Sequence, residues 1–210
     1  LSDLSAMDEA SAVSMIEQRI EFAANLHIPF VSLFVSGKGE NAGDALLRVL
    51  EKVLPTAEDK GVTLLLETRG LFCNTALLRE TLESFASDAL AALWDVHEPL
   101  FCHSEDSEET IKNLGAYVRH VRLTDSEQTA DGRAFCLIGE GDLPLQSIMD
   151  ALSSVNYDGF LSLHWEAQWM PDLPDLDIIL SHFENYLSSF DTPAHQKHPL
   201  YLNRAETGHY

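Results

Sequence analysis

Short apolar runs alternate with amphipathic stretches of helical period along most of the chain. Apolar residues at spacings of three and four predict the helices, and short continuous apolar runs predict buried strands. The helices are predicted over 7–26, 41–60, 74–85, 108–114, 144–155 and 176–190, and the strands over 30–35, 62–67, 90–95, 117–123 and 160–164. Because strands and helices alternate, the pattern predicts parallel strands covered by helices.

Two architectures fit this alternation: an open doubly wound sheet, or part of a (β/α)8 TIM barrel. Only five strands are clear, whereas a complete barrel needs eight. No GxGxxG motif follows an early strand, so a dinucleotide-binding open sheet has no support. Between the last two strands, 126–133 is expected to be a polar loop, and Asp142 is expected to cap the helix after it. The acidic residues over 98–109 are expected to form a solvated segment.

The charge balance narrows the class of partner. The chain has 13 Lys and Arg residues against 34 Asp and Glu residues, a formal net charge of −21. Such a chain repels nucleic acid and anionic membranes, and it has no apolar run of the ~18 residues that a membrane span needs. Its three cysteines are widely spaced and form no CxxC motif. We therefore expect free thiols in a reducing cytoplasm.

Ionisable residues follow four successive apolar strands at equivalent positions. Sites in parallel α/β folds form at the carboxyl ends of strands, and strand alternation places these side chains on one face. We therefore expect them to converge on one mouth, with His120 one layer deeper, roughly 6.6 Å below Arg122. The four residues are Glu67, Asp95, Arg122 and His164.

Each of these residues also has an ordinary structural explanation. A single carboxylate at a strand end is most often a helix cap, a turn residue or an ion-pair partner. His120 is better explained as a hydrogen-bonded interior histidine than as a ligand. Trp165 either packs in the core or forms the wall of a sugar-sized pocket. Repetition on successive strands is what distinguishes Glu67, Asp95 and His164.

Five stretches in order resemble the sugar phosphate isomerase/epimerase superfamily, the xylose isomerase-like or AP endonuclease family 2 TIM barrels. The resemblance implies a barrel fragment over 1–190, with about five β/α units that correspond to the fourth to eighth units of the barrel, and a tail or linker over 191–210. It also implies that the first three strands lie in a missing segment or come from a partner. The stretches are GVTLLLETRG (61–70), LAALWDVHEP (90–99), VRHVRLTD (118–125), LIGEGDLPLQSIMDAL (137–152) and YDGFLSLHWEAQWMPDLP (157–174).

The resemblance further implies a divalent metal, Mn, Co, Zn or Mg, held by Glu, Asp, His and Glu residues. In that chemistry the two glutamates move a proton beside a carbonyl through a metal-bound enediolate. Glu67 matches the first glutamate and Asp95 the aspartate. Arg122 stands at the position of the histidine ligand, and His164 at that of the second glutamate. An arginine cannot ligate a metal, because it is always protonated.

Three outcomes follow, in decreasing order of expectation. The metal site is degenerate, and isomerase chemistry is weakened or lost. Alternatively, a metal is kept by Glu67, Asp95 and His164, with Glu166 or His97 as replacement ligands. In the third outcome, proton transfer needs no metal, with His164 as the base and Arg122 as the electrophile.

The expected ligand is a small sugar or sugar phosphate. Its binding residues are predicted to be Arg122, Arg69, His97, His120, Glu166 and Trp165. The catalytic residues of an active enzyme would be Glu67 and His164. The competing hypothesis is a non-catalytic barrel remnant that serves as a ligand-binding or interdomain module, its open edges covered by a second copy or a fused neighbouring domain.

Overall fold

The computed structural model describes residues 3–37, 41–165 and 174–190. Strands and helices alternate along them as the sequence pattern predicts. The helices are α1 Glu9–Asn25, α2 Ala42–Lys60, α3 Thr75–Phe85, α4 His97–His103, α5 Ser107–Leu114, α6 Leu145–Ser154 and α7 Leu176–Ser188. The strands are β1 Phe30–Leu33, β2 Thr63–Glu67, β3 Leu90–Asp95, β4 Val118–Leu123, β5 Asp125–Thr129, β6 Gly132–Cys136 and β7 Phe160–Leu163. No helix among these residues is long and apolar enough to cross a membrane.

Local sequence signals set several helix boundaries. The Asp8 carboxylate accepts a hydrogen bond from the Ser11 backbone N–H at 3.0 Å and caps α1. Asn74 caps α3 by accepting from the N–H groups of Ala76 and Leu77. Gly61 ends α2 in the left-handed conformation, with φ of 64°, which costs a glycine little because it has no Cβ.

Five parallel strands form one curled sheet in the order β1-β2-β3-β4-β7. Its inner face carries an apolar layer that includes Leu65, Ala91 and Leu93, packed against Phe30. The rings of Phe30 and Phe160, on the two edge strands, lie 6.2 Å apart in an edge-to-face arrangement. An open flat sheet would not bring its first and last strands together, so this is a curled half-barrel of the partial TIM-barrel type.

A β-bulge in β4 determines which of its residues face inward. Ala92 pairs with Val118, but the next residue, Leu93, pairs with His120, so Arg119 is an extra residue in the ladder. After the bulge, Asp95 pairs with Arg122. His120 and Arg122 therefore share the inner face with Leu93 and Asp95.

Residues 125–136 correct the expected polar loop. They form an antiparallel hairpin, β5 with β6, whose ladder pairs Asp125 with Cys136 and Thr129 with Gly132. The first strand is polar throughout, and the apolar residues of the second are consecutive, so neither shows the apolar alternation that marks a half-buried strand. Asp142 is not the cap of α6. Its carboxylate accepts hydrogen bonds from the Gln128 N–H at 2.7 Å and from Arg133 Nη2 at 3.1 Å.

The described residues divide into two compact units, one over 3–37, 41–124 and 159–165 and the other over 125–158 and 174–190. The predicted tail or linker over 191–210 lies outside the described residues. The first unit contains the five-stranded sheet and every candidate site residue in the described part of the chain. In the second, the buried Asp125 carboxylate accepts hydrogen bonds from four backbone N–H groups, those of Ser126, Gly139, Gly141 and Leu143. Asp125 thus organises a loop of its own unit.

Candidate functional site

Two buried carboxylates lie at the carboxyl ends of neighbouring strands. Glu67 ends β2 and is 1% exposed, and Asp95 ends β3 and is 2% exposed. Thr68 connects the two strand ends: its hydroxyl donates to the Asp95 carbonyl at 3.1 Å and accepts from the Asp95 N–H at 2.9 Å. The His97 N–H donates to Asp95 Oδ1 at 3.3 Å. Thr68 therefore fixes the two strand ends against each other, and the His97 N–H orients the Asp95 carboxylate.

The guanidinium of Arg122 contacts both carboxylates. Nη1 lies 3.0 Å and Nη2 3.4 Å from the two oxygens of Glu67. The same Nη1 lies 3.7 Å from Asp95 Oδ2. A guanidinium that binds two oxygens of one carboxylate forms one of the stronger ion pairs in proteins. Arg122 therefore occupies the inner face beside Asp95 and pairs in bidentate fashion with Glu67.

The charges around Asp95 oppose one another. Burial raises the pKa of Asp95 above its ordinary value, although the positive charges of Arg122 and Arg69, and next the imidazole of His164, counteract this effect. Glu98 raises the pKa further through its negative charge. The desolvation of the carboxylate outweighs the attraction of its cationic neighbours.

His164 follows the edge strand β7 and completes the group at the mouth. Its Nδ1 lies 3.8 Å from Asp95 Oδ2, and its side chain is 23% exposed. Its backbone N–H donates to the Leu123 carbonyl at 2.8 Å, which continues the ladder between β4 and β7. We call Glu67, Asp95, Arg122 and His164 the mouth site. All four were expected to converge from the sequence alone.

A second arginine lies beside the mouth site. Nη1 of Arg69 is 3.8 Å from Glu67 Oε2, and Nε is 4.0 Å from Glu98 Oε1. Its guanidinium also stacks over the Phe34 ring, 5.2 Å from the centroid. The next residue, Gly70, has φ of 59°, and a Cβ there would lie 2.4 Å from the Val35 carbonyl oxygen. Only glycine permits the close chain approach that places Arg69 here.

The remaining predicted binding residues differ in position. His97 lies beside Glu98, with Nδ1 3.9 Å from Oε1, and its ring packs on Phe101. His120 bonds the Ser162 hydroxyl at 2.7 Å, as expected of an interior histidine. Burial, and secondarily the charge of Arg122, lower the pKa of His120 below its ordinary 6.5. Trp165 follows His164, and its buried indole Nε1 has no hydrogen-bond partner. Glu166 lies outside the described residues.

The acidic segment over 98–109 is not uniformly solvated. Glu98 is half-buried and contacts Arg69, His97 and the thiol of Cys102. Glu105 is 7% exposed and accepts hydrogen bonds from threonine hydroxyls. Acidic composition suggested exposure, but the helix α4, whose pattern is too short to recognise from sequence, turns Glu98 towards the arginine.

The mouth site does not suit a divalent cation between Glu67 and Asp95. The oxygens that would hold the ion already face a guanidinium, with Arg122 Nη1 at 3.0 Å from Glu67 Oε2. A guanidinium has only donors and a permanent charge. An added ion would meet that charge, with Arg69 nearby, at a short distance in a site of low dielectric.

Comparisons with known proteins agree with this architecture. No curated protein sequence is significantly similar to the chain. Among solved structures, an L-ribulose 3-epimerase superimposes with a TM-score of 0.74 at 20% identity, covering 97% of this chain and 76% of the epimerase. A D-psicose 3-epimerase gives 0.71 at 16% identity, covering 89% and 73%. A xylose isomerase domain protein from Planctomyces limnophilus gives 0.68 at 20% identity, covering 86% of this chain.

The likeness extends over most of this chain but not over all of those structures. The chain spans 64% of the length of the Planctomyces limnophilus protein. At these identities the superpositions show the fold. A family model described as xylose isomerase-like TIM barrel matches residues 1–185, as the five resembling stretches implied. The chain therefore belongs to the xylose isomerase-like TIM barrel family.

Proposed function

We propose that this domain binds a sugar or sugar phosphate at the mouth site, and that Arg122 has replaced the divalent metal of isomerase/epimerase-type chemistry. One observation carries the proposal: the Arg122 guanidinium pairs with both Glu67 oxygens, at 3.0 and 3.4 Å, and approaches Asp95 at 3.7 Å. Metal-dependent isomerisation is lost in this state, because a guanidinium already pairs with Glu67 and lies beside Asp95, where the cation would be held.

The arrangement of Glu67 argues against its acting as a general base. A base needs a free lone pair directed at the proton that it removes. Both oxygens of Glu67 are engaged by Arg122, and the carboxylate is buried. Movement of the Glu67 carboxylate towards a substrate would break its bidentate ion pair with Arg122. Because the site is buried, the unpaired charge would be costly.

The same geometry supports ligand binding. Arg122 and Arg69 have side chains that are 13% and 28% exposed, so part of each side chain is accessible to a ligand. Guanidinium N–H groups suit the hydroxyl oxygens of a sugar and the oxygens of a phosphate. His164 and His97 add ring nitrogens beside them. The two arginines give this site a local positive charge in a chain whose net charge is −21.

A second candidate function is metal-free proton transfer at the same site, favoured by the position of His164 beside Asp95. In this step His164 takes a proton from the carbon next to a ketose carbonyl, and that carbonyl becomes an enediolate. Arg122 donates hydrogen bonds to the enediolate oxygen. Return of the proton by His164 to the neighbouring carbon gives the isomer, and its return to the same carbon regenerates the ketose.

Metal and sugar binding together test the first proposal. We expect the wild-type chain to bind neither Mn²⁺ nor Mg²⁺ in calorimetric titration, and to bind D-fructose, D-psicose, L-ribulose or a phosphorylated ketose by NMR titration. R122H restores the ligand type of the family and should gain Mn²⁺ binding. R119H, on the exposed side of the same strand, should not. A stoichiometric Mn²⁺ ion in the wild type that E67Q abolishes would contradict the proposal.

Proton exchange separates the two candidates. The same ketoses are incubated with the protein in D₂O, and loss of the C–H signal beside the carbonyl is followed by NMR. The binding proposal predicts no exchange above the buffer rate. Metal-free catalysis predicts exchange in the presence of a chelator that H164Q abolishes while sugar binding persists. Exchange that persists in H164Q would rule out His164 as the base.

A further inference from the structure

Two cysteines and a glutamate meet beside the mouth site, although they are far apart in the sequence. Cys73 ends the short 3₁₀-helix Gly70–Cys73 that follows β2. Glu98 and Cys102 lie on α4, the helix that follows β3. Their spacing of four residues places them on the same helix face. The ligand atoms of all three lie within 4.8 Å of one another. We call this group the thiol cluster.

The contacts inside the thiol cluster are those of ligands that already face one point. Cys102 Sγ donates a hydrogen bond to Glu98 Oε2 at 3.4 Å, and the two thiols also contact each other. Cys73 is half-buried, whereas Cys102 is exposed, so an ion from solvent has access. In tetrahedral zinc coordination, with Zn–S near 2.3 Å, two sulfurs lie about 3.8 Å apart. The three ligand atoms, all within 4.8 Å of one another, are already near that spacing.

We propose that the thiol cluster is a zinc site, with Cys73, Cys102 and Glu98 as ligands and water in the fourth position. Two thiolates and a carboxylate carry three negative charges, which suit a borderline-soft divalent ion such as Zn²⁺ and not Mg²⁺ or Mn²⁺. On binding, each thiol loses its proton to solvent and forms a Zn–S bond, and no oxidant or reductant is involved.

The thiols of the apo cluster hold their protons, so a zinc ion must displace those protons when it binds. Desolvation, and then the negative charge of Glu98, raise the pKa of the Cys73 thiol and raise the pKa of Cys102 to about 12. A nearby Zn²⁺ reverses this preference, because a bound cation deprotonates a coordinating thiol outright. The carboxylate that disfavours a thiolate in the apo protein thus becomes a ligand in the zinc form.

The two oxygens of Glu98 face different partners. Oε2 faces Cys102, whereas Oε1 lies 4.0 Å from Arg69 Nε and 3.9 Å from His97 Nδ1. Zinc held through Oε2 leaves Oε1 directed at Arg69. The ion would therefore join the segment after β2 to the helix after β3 and hold Arg69 beside Glu67. The zinc site does not depend on the proposed sugar function, since none of its three ligands belongs to the mouth site.

Zinc binding by reduced, full-length protein tests this proposal. The protein is equilibrated with Zn²⁺ under a non-thiol reductant, dialysed and assayed for metal by mass spectrometry. One zinc per chain is expected in the wild type and in C136S, whose cysteine lies in the β5–β6 hairpin. C73S and C102S should weaken binding more than about 100-fold, because loss of an outer partner alone costs 10–100-fold. E98Q should weaken it by about 10-fold or more.

Cobalt gives a readout that identifies the ligands. Co²⁺ in the wild type should give sulfur-to-metal charge-transfer absorption and the visible bands of tetrahedral coordination, and both should disappear in C73S and C102S. Circular dichroism of the metal-free variants shows whether each serine variant remains folded. Absence of zinc from the wild type, or equal zinc in a folded C73S, overturns the proposal. Zinc that is lost in E67Q but kept in C73S overturns both this proposal and the arginine-occupied mouth site.

Discussion

Glu67 and Glu105 are both buried, but they are satisfied in opposite ways. Glu105 accepts hydrogen bonds from neutral donors: the Thr75 N–H at 3.2 Å, the Thr75 hydroxyl at 2.5 Å and the Thr110 hydroxyl at 2.6 Å. These contacts tie the start of α3 to α5. Glu67 instead faces Arg122 and, at a longer distance, Arg69. Both partners of Glu67 are long cationic side chains with part of their surface exposed.

The difference separates a structural carboxylate from one in a functional site. The partners of Glu105 sit on helix backbones and on short side chains, so they cannot turn towards a ligand. The partners of Glu67 have rotatable stems and additional N–H donors, so they can bind Glu67 and a ligand at once. Burial does not distinguish Glu67 from Glu105, because both are less than a tenth exposed. The two carboxylates differ in the chemistry of their partners.

The largest effect should come from R122A. Removal of the guanidinium leaves Glu67 and Asp95 together in a buried site, and breaking a buried ion pair from one side costs about 3–5 kcal/mol. We expect a loss of that size in the free energy of unfolding, measured with urea. R119A, at the exposed bulge on the same strand, should change it by no more than about 0.5 kcal/mol. Equal effects of the two variants would remove the distinction between Glu67 and Glu105.

A smaller loss is expected from E105Q. The glutamine amide keeps one acceptor oxygen but places N–H donors against the threonine hydroxyls and the Thr75 N–H. An unsatisfied buried polar group costs about 1–3 kcal/mol. Urea unfolding should show this loss, with E108Q on the exposed face of α5 as the control. Sugar binding should remain as in the wild type. Its loss in E105Q would show that Glu105, like Glu67, is a carboxylate of the functional site.

A pH-dependent effect is expected from His120. Its pKa is lowered by burial and by Arg122, and its other neighbours are the Ser162 hydroxyl and the Phe160 ring. Just below pH 6.5 the unfolded chain therefore binds more protons than the folded chain does. The contribution of neutral His120 to the free energy of unfolding is complete above pH 6.5 and is lost as the pH falls below that value. Wild type should lose stability faster than H120Q as the pH falls through that range, by at most about 1.4 kcal/mol per pH unit. If the free energy of unfolding changed with pH in the same way in the wild type and in H120Q, the lowered pKa of His120 would be contradicted.

The smallest effect should come from R69A. Its ion pairs with Glu67 and Glu98 are long, at 3.8 and 4.0 Å, and its contact with Phe34 is partly exposed. Together such contacts contribute up to about 1 kcal/mol. R79A, which removes an exposed pair with Glu83 on α3, should cost about 0.3–0.5 kcal/mol. If R69A matched R122A in stability, Arg69 and not Arg122 would be the main partner of Glu67.

The fold was largely predictable where apolar periodicity was strong. The strand over 90–95 was predicted with the observed bounds, and the other strands of the sheet within a few residues, because buried parallel strands are continuous apolar runs. The β5–β6 hairpin and α4 were missed. The first strand of the hairpin, DSEQT, is polar throughout, and α4 has only seven residues, too few to show a helical period.

The candidate site was predictable in its members but not in its contacts. Position at the carboxyl ends of successive strands was enough to group the four residues of the mouth site. Nothing in the sequence indicated that Arg122 pairs with both oxygens of Glu67, or that Thr68 joins the two strand ends. The thiol cluster was missed because Cys73 and Cys102 lie on different elements and form no short motif.

The sequence by itself determined the alternating parallel architecture, the family resemblance, and the departure of Arg122 and His164 from the family pattern. These properties depend on residue type and local spacing, which act through burial and strand alternation. Tertiary structure decided the bulge at Arg119, which brings Arg122 opposite Asp95, and the meeting of Cys73 with Glu98 and Cys102. Both depend on register and on packing between distant segments, and a shift of one residue in a strand turns every side chain to the other face.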